Sequence, residues 1–202
     1  MSGPFVSCFD VATQVGCCDG PVGGKARYWS WDLRDGGETQ AQRFLQLWNF
    51  LGAYLVENRV DRMFYEAPVP VAVMLNIKED DETGRSRIVA RTSEDTLNFL
   101  RGVAAVIQLA AAAHEIPCDS WGVQEARKAV LGRATFPSER VNGKKVSTAK
   151  REVMKGCRLL GHEPDNDNEA DAIVGWHFEC ALLNPRLAQA FARDGTRSLF
   201  RF

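Results

Sequence analysis

The sequence has no CxxC pair. Its six cysteines, Cys8, Cys17, Cys18, Cys118, Cys157 and Cys180, form no evenly spaced framework, so they read as reduced thiols of a cytoplasmic protein. Histidine is scarce, with three residues. His177 and Cys180 stand three apart, like half a zinc site, but no second half accompanies them. No charged-then-apolar leader is read at the start, and no apolar run approaches the ~18 residues of a membrane span. The most apolar run, "GVAAVIQLAAAA", is interrupted by Gln108 and reads as a buried helix. No membrane partner is therefore expected. Internal repeats and low-complexity tracts are also missing. A net charge of −1 gives no bulk sign of nucleic-acid binding.

What is present fits one ordinary domain. The chain has 202 residues, enough for a sizeable core, and 45% hydrophobic with 25% charged residues is the composition of a globular protein. Charge is unevenly placed. Residues 125–158 hold ten basic residues against three acids, among them Lys144, Lys145, Lys150 and Arg151. Arg186, Arg193, Arg197 and Arg201 follow near the end. One reading is a solvated face. The sharper one is a phosphate-binding surface.

Periodicity places the elements. "FVSCFDV" reads as a strand, followed by a turn around residues 13–16, a short second run, and a third strand in "ARYWSWDL". Gly20, Gly23 and Gly24 suit a hairpin between the last two. Phe44, Leu47, Trp48, Leu51 and Leu55 recur at helical spacing. "DRMFYEAPV" is a short strand stopped by prolines, and residues 93–115 form a long helix capped by Ser93. "IPCDSW" is a further strand candidate. Helices are expected over residues 125–131, 147–160 and 169–183, the first two joined by the loop "GRATFPSERVNGKK". This order predicts an α/β domain with a mixed central sheet, antiparallel hairpin strands first and helices on both faces. The domain is expected to span residues 1–183, with 70–92 as an inserted hairpin or a structured edge and 184–202 as a basic tail.

Three acids stand where the pattern expects apolar residues. Asp10 sits inside the first strand, between Phe9 and Val11, Glu66 ends the strand "MFYE", and Asp171 lies one turn into the last helix. "PDNDNEADAIVGW" crowds four carboxylates, Asp165, Asp167, Glu169 and Asp171, into seven residues. Helix capping and the helix dipole account for one or two of these. They do not account for Asp171, which stands beside inward-facing Ala170, Ile173 and Val174. Singly, each acid could reach solvent. Jointly, they suit convergence on one point, and such a cluster stays ionised only around cations. Hard divalent ions prefer oxygen ligands, and a pair ~3.5–4 Å apart serves in-line phosphodiester chemistry.

The ordered motifs "CFDVATQVGCCDG", "FYEAP", "WGVQEARKAVLGRA" with "KREVMKGCRLLG", and "DNEADAIVGW" resemble those of the RuvC-like Holliday-junction resolvases. These belong to the ribonuclease H-like nucleases. The resemblance implies a ribonuclease H-like fold and an endonuclease that resolves four-way DNA junctions. It implies two Mg²⁺ ions per active site, with Mn²⁺ able to substitute, held by Asp10, Glu66 and Asp171. The family places a further acid three residues before the last, where this chain has Asn168. Asp167, four residues before, can share that helix side, so the fourth ligand lies between Asp167 and Asn168, with Asp167 favoured. Glu169 is expected to point away. Lys144, Lys145, Lys150 and Arg151 are the implied DNA-backbone contacts. The segment after Glu66 departs from the family pattern, so base preference does not carry over.

A strand Asp followed by Thr and Gly also opens the sugar-kinase and actin-like ATPases, but a second Gly-rich phosphate loop is lacking. A related nuclease could act on flaps, forks or RNA–DNA hybrids, and a non-catalytic branched-DNA-binding module would not need all three acids. The resemblance also implies a homodimer. The long helix carries two apolar stripes, Leu97, Leu100, Ala104 and Ile107 on one side and Phe99, Val103, Val106 and Ala110 on the other. One could dock on the sheet and the second on a partner; alternatively both are covered within one subunit.

Overall fold

In the computed structural model, residues 3–68, 78–80, 86–88, 93–141 and 144–187 are described. The elements run β1 (Phe5–Asp10), β2 (Gln14–Pro21), β3 (Arg27–Asp32), a 3₁₀ turn at Arg34–Gly36, α1 (Gln40–Glu57) and β4 (Arg62–Glu66). Short strands β5 (Lys78–Asp80) and β6 (Ser86–Ile88) follow, then α2 (Glu94–Ala113), β7 (Cys118–Trp121) and α3 (Val123–Leu131). β8 (Ser138–Val141), β9 (Lys144–Ser147), α4 (Ala149–Leu159) and α5 (Asp167–Leu183) complete the order.

The main sheet has the order β3-β2-β1-β4-β7. β1, β2 and β3 pair antiparallel; β4 joins β1 in parallel and β7 joins β4 in parallel. This is the expected mixed sheet, and the fold is ribonuclease H-like. Side-chain alternation feeds a core on each face. Phe9, Val15, Cys17 and Met63 pack with α1 and α2, while Cys8, Cys18, Phe64 and Trp121 pack with α3, α4 and α5. Neighbouring Cys17 and Cys18 thus serve opposite cores. All six cysteines are free thiols.

The helix starts follow local chemistry. Thr39 and Gln42 form a reciprocal capping box on α1, and the Ser93 hydroxyl accepts from the Thr96 N–H on α2. α2 spans 20 residues with a mean hydropathy of 1.4, long and apolar enough by length and composition to cross a bilayer. Here it is a core helix, with Phe99, Val103, Ala104, Ile107, Ala110 and Ala111 buried.

That burial corrects the two-stripe expectation. Phe99, Val103 and Ala110 of the proposed partner stripe lie inside the subunit, and Val106 is half-buried. α1 fills the space because Phe44 stacks on Phe99 at 5.5 Å between ring centroids. The outward apolar residues are instead Leu109 on α2 and Leu45, Trp48 and Val56 on α1.

Other boundaries differ too. β2 begins at Gln14, so Gly16 lies within a strand and not in a turn. α3 and α5 begin two residues before their expected starts, at Val123 and Asp167. The expected loop after α3 contains the β8–β9 hairpin. Between β4 and α2, β5 and β6 pair antiparallel as a separate two-stranded sheet; the rest of 69–92, and the tail from 188 onward, lie outside the described residues.

Gly16 sits opposite Asp10 in the β1–β2 ladder. A Cβ there would stand 2.0 Å from the Asn168 carbonyl oxygen and 3.0 Å from the Glu169 nitrogen. Both are backbone atoms and cannot swing aside, so α5 would have to shift. Gly16→Ala is expected to lose about 1–3 kcal/mol of stability, read as a lower urea midpoint with an unchanged slope.

Candidate active site

Three elements bring the acids together. β1 and β4 run in parallel with Phe9 opposite Tyr65, so their last residues, Asp10 and Glu66, end side by side. Glu66 stands close enough to Asp10 to act on its carboxyl. Asp10 is only 5% exposed. Burial pushes its carboxyl well above the ordinary range, and Glu66 and Asp171 add to this, while Arg127 opposes it.

α5 supplies the remaining acids. Its first turn lies on β2 at Gly16, where no side chain holds it off. Asp171 faces the same centre, since Glu66 and Asp167 both act on its charge. Burial raises the Asp171 carboxyl, against the pull of Arg127. The Arg127 guanidinium donates to Asp171 Oδ1 at 2.7 and 3.0 Å and to Oδ2 at 2.8 Å. Both side chains are largely buried, at 17% and 14% exposure, so the pair is well screened from water. Asp167 forms an ion pair with Lys150. Asn168 is half-buried, and its backbone makes the contact with Gly16.

Glu169 is a first-turn acid that points away from the three converging acids, as expected, but not into solvent: it is 5% exposed and fully bonded. Its Oε1 accepts from Ser30 Oγ at 3.1 Å and Asn166 Nδ2 at 2.9 Å, and its Oε2 accepts from the Asp165 N–H at 2.9 Å. Its own N–H donates to Asn166 Oδ1 at 2.9 Å. The acid therefore ties the start of α5 to β3. The sequence signal was the Asn166-to-Glu169 spacing of a capping pair.

The basic candidates divide. Lys150 opens α4, which Val153 and Cys157 anchor in the core, the Cys157 thiol donating to the Ala170 carbonyl of α5 at 3.4 Å. Lys150 thus reaches the acidic end of α5. Arg151 turns the other way and binds Glu139 of β8 at 2.6 and 3.1 Å. Lys144 and Lys145 lie on β9, opposite Val141 and Arg140; their side chains are outside the described atoms. Reasoning from sequence alone left Arg127 among the general basic residues. Its place on an apolar helix face, next to the buried Ala126, was the available clue.

Among the described residues, no three Asp, Glu, His or Cys side chains stand in an arrangement ready to hold a metal ion. The contacts above give the reason. Arg127 occupies Asp171, and Lys150 occupies Asp167. The donor set of Asp10, Glu66, Asp167 and Asp171 is nonetheless all hard oxygen, which suits Mg²⁺ chemically. The half zinc site does not assemble: His177 Nε2 stands 2.8 Å from His162 Nε2, and Cys180 is buried in the core.

No family model matches the sequence, and no curated protein matches it at a significant level. Solved structures do. The chain is similar to the RuvC structure of Thermus thermophilus, with 16% identity, a TM-score of 0.54, and coverage of 96% of this chain and 98% of that one. It is also similar to T. thermophilus RuvC in complex with a Holliday junction substrate, at 18% identity and a TM-score of 0.57, with 96% and 98% covered. At such identities the likeness is one of fold: the chain has a RuvC-like fold over nearly its whole length.

The raised Asp10 carboxyl sets a sign. The folded state holds that proton more tightly than the unfolded chain, whose Asp titrates near ~3.9. The ionised carboxylate therefore costs stability as pH rises through and beyond that value. Asp10→Asn keeps the shape and removes the charge. In EDTA at pH 8 the variant is expected to melt above the wild type, with the gap closing toward pH 5. A variant melting below the wild type throughout would contradict this.

Proposed function

We propose that the chain is a metal-dependent endodeoxyribonuclease that resolves four-way DNA junctions as a homodimer. The observation that carries this is the convergence of Asp10, Glu66 and Asp171 from three separate elements beside a basic helix. The RuvC-like fold supports the substrate class, because one similar structure is in complex with a Holliday junction.

In this reading Asp10, Glu66 and Asp171 hold the ions, with Asp167 or Asn168 completing the set. Divalent ions, when bound, supply activation of the attacking water and stabilisation of the leaving oxygen. The chain's own residues do the rest. Arg127 neutralises Asp171 in the free protein and must yield part of that carboxylate for it to become a ligand. Freed, the guanidinium stands at a site where a phosphate oxygen would take its place. Lys150 does the same for Asp167. Lys144 and Lys145 extend the basic surface, while Arg151 braces α4 against β8.

A four-way junction has two equivalent strands to cut, which suits a twofold pair of subunits. The apolar residues left outward on α1 and α2 supply a surface for it: Leu109 is 59% exposed and Val56 80%. Both helices cover the sheet face opposite α5, so pairing there leaves the acids open to DNA.

Cleavage of labelled junction, flap and RNA–DNA hybrid, each with Mg²⁺ and with EDTA, tests the activity. Asp10→Asn, Glu66→Gln and Asp171→Asn are each expected to reduce junction cleavage to background while gel-shift binding in EDTA persists. Wild-type cleavage in any one of them removes that residue from the site. Preference for the flap or hybrid would reassign the substrate. Asp167→Asn is expected to cost more activity than Asn168→Ala.

The dimer has its own test. Leu109→Glu is expected to sediment as a folded monomer that nicks junctions without resolving them. Val106→Glu does not serve, because Val106 is half-buried in the subunit's own core. A wild type that stays monomeric at micromolar concentration, with and without junction, would refute the pairing.

A further inference from the structure

A second acidic feature lies at the edge of the main sheet. β7 pairs with β4 on one side, and no described strand pairs with its other side. Beside this edge, on the face covered by α3 and α5, a groove of about 460 Å³ opens. Asp119 of β7, Glu125 of α3 and Glu179 of α5 line it, against a single base, Arg62 of β4. Phe178 and Leu182 give it an apolar wall. Leu182 is 45% exposed there.

Glu179 sets this groove apart from an ordinary acidic surface. It is 6% exposed and lines the cavity, yet it makes no hydrogen bond or ion pair with any described residue. Burial pushes its carboxyl up to about 7; Asp119 adds to the rise and Arg62 opposes it. A buried carboxylate without a partner is costly. Nothing in the proposed cleavage chemistry uses it, since the groove is lined by residues distinct from Asp10, Glu66 and Asp171. Its charge also disfavours DNA.

We propose that this groove is a docking site for an extended peptide of another protein, which adds a strand to β7 and places a lysine or arginine against Glu179. The inference is independent of the nuclease reading. An unpaired edge offers backbone donors and acceptors to an incoming strand. Alternate side chains of that strand then project toward the α5 face. There a basic head meets Glu179 with Asp119 at the rim, and its aliphatic stem lies on Phe178 and Leu182. The three acids against one base supply the charge complementarity.

The probe is a fluorescein-labelled nine-residue peptide alternating valine and lysine, with a matched peptide carrying glutamate for lysine. Anisotropy is measured on the full chain at pH 7.5, and hydrogen exchange follows the β7 amides. The lysine peptide is expected to bind saturably and to protect the amides of residues 118–121. Glu179→Gln, which keeps the side chain's size, is expected to weaken it by more than about 10-fold. Leu182→Glu, on the exposed wall, tests the apolar contact by the loss of a valine-dependent part of the affinity. Junction binding should be unchanged in both. Equal affinity for Glu179→Gln, equal binding of the glutamate peptide, or protection away from β7 would overturn the proposal. So would concentration-dependent self-association abolished by Glu179→Gln, which would assign the groove to a second copy of the chain.

Discussion

The site depends on one backbone contact, the seating of the first turn of α5 on Gly16. Asp10 and Glu66 need no help to meet, because two parallel neighbouring strands end together. Asp171 comes from a helix more than a hundred residues away along the chain, and only the position of α5 decides whether it joins them. That position is set twice. From below, the missing side chain at Gly16 lets the Asn168 carbonyl come down onto the ladder rung that holds Asp10. From the side, Glu169 bonds Ser30 of β3 and so prevents the helix from rotating about that contact. The same residue that looked like a spare first-turn acid is thus the one that aims its neighbours.

A buried acid on a strand is not in itself a sign of chemistry, and this protein holds the counterexample. Asp19 of β2 is completely buried. Its Oδ1 and Oδ2 take bonds from Arg27 at 2.9 and 2.6 Å, and Tyr54 donates to Oδ2 at 2.7 Å while its hydroxyl also meets Ser7 at 2.6 Å. Every demand of that carboxylate is met inside the fold. Among the described residues Asp10 forms no comparable ion pair: Glu66 and Asp171 act on its charge, and the Arg127 guanidinium that opposes them is bonded to Asp171. The difference between Asp19 and Asp10 is what surrounds the charge, and that is invisible in the strings "CFDV" and "CCDG".

This explains what the sequence made legible. Strand and helix periodicity located the sheet, the long capped helix and the apolar body of α5, because those patterns report burial directly. The three acids were legible because they interrupt such patterns. What escaped depends on contacts between distant segments. β8 and β9 read as loop from sequence because their residues are polar and do not alternate; the Asn142-Gly143 dipeptide between them is the usable hairpin signal. Of the two readings periodicity left open for α2, the structure takes the one with both stripes covered within the subunit, and the cover is α1. Arg127 was one base among ten until Asp171 came beside it.

Arg127 and Lys150 give the acidic centre its character in the free protein. Each occupies a carboxylate of α5, and both sit on helices, α3 and α4, that pack against α5. Acid and base are therefore carried by one rigid layer on the sheet, and not by loops that close over a substrate. A layer of that kind cannot relieve its charge by moving apart, because Cys157, Val153 and Ala126 fix the three helices in a common core. In the proposed function, relief comes from exchange of partners: cations in place of arginine and lysine on the acids, and phosphate in place of the acids on arginine and lysine. Both exchanges act on the same four groups, so occupancy of one side favours occupancy of the other. Under that proposal, binding of polyanion and of divalent cation is coupled through Asp171 and Asp167, without any change in fold.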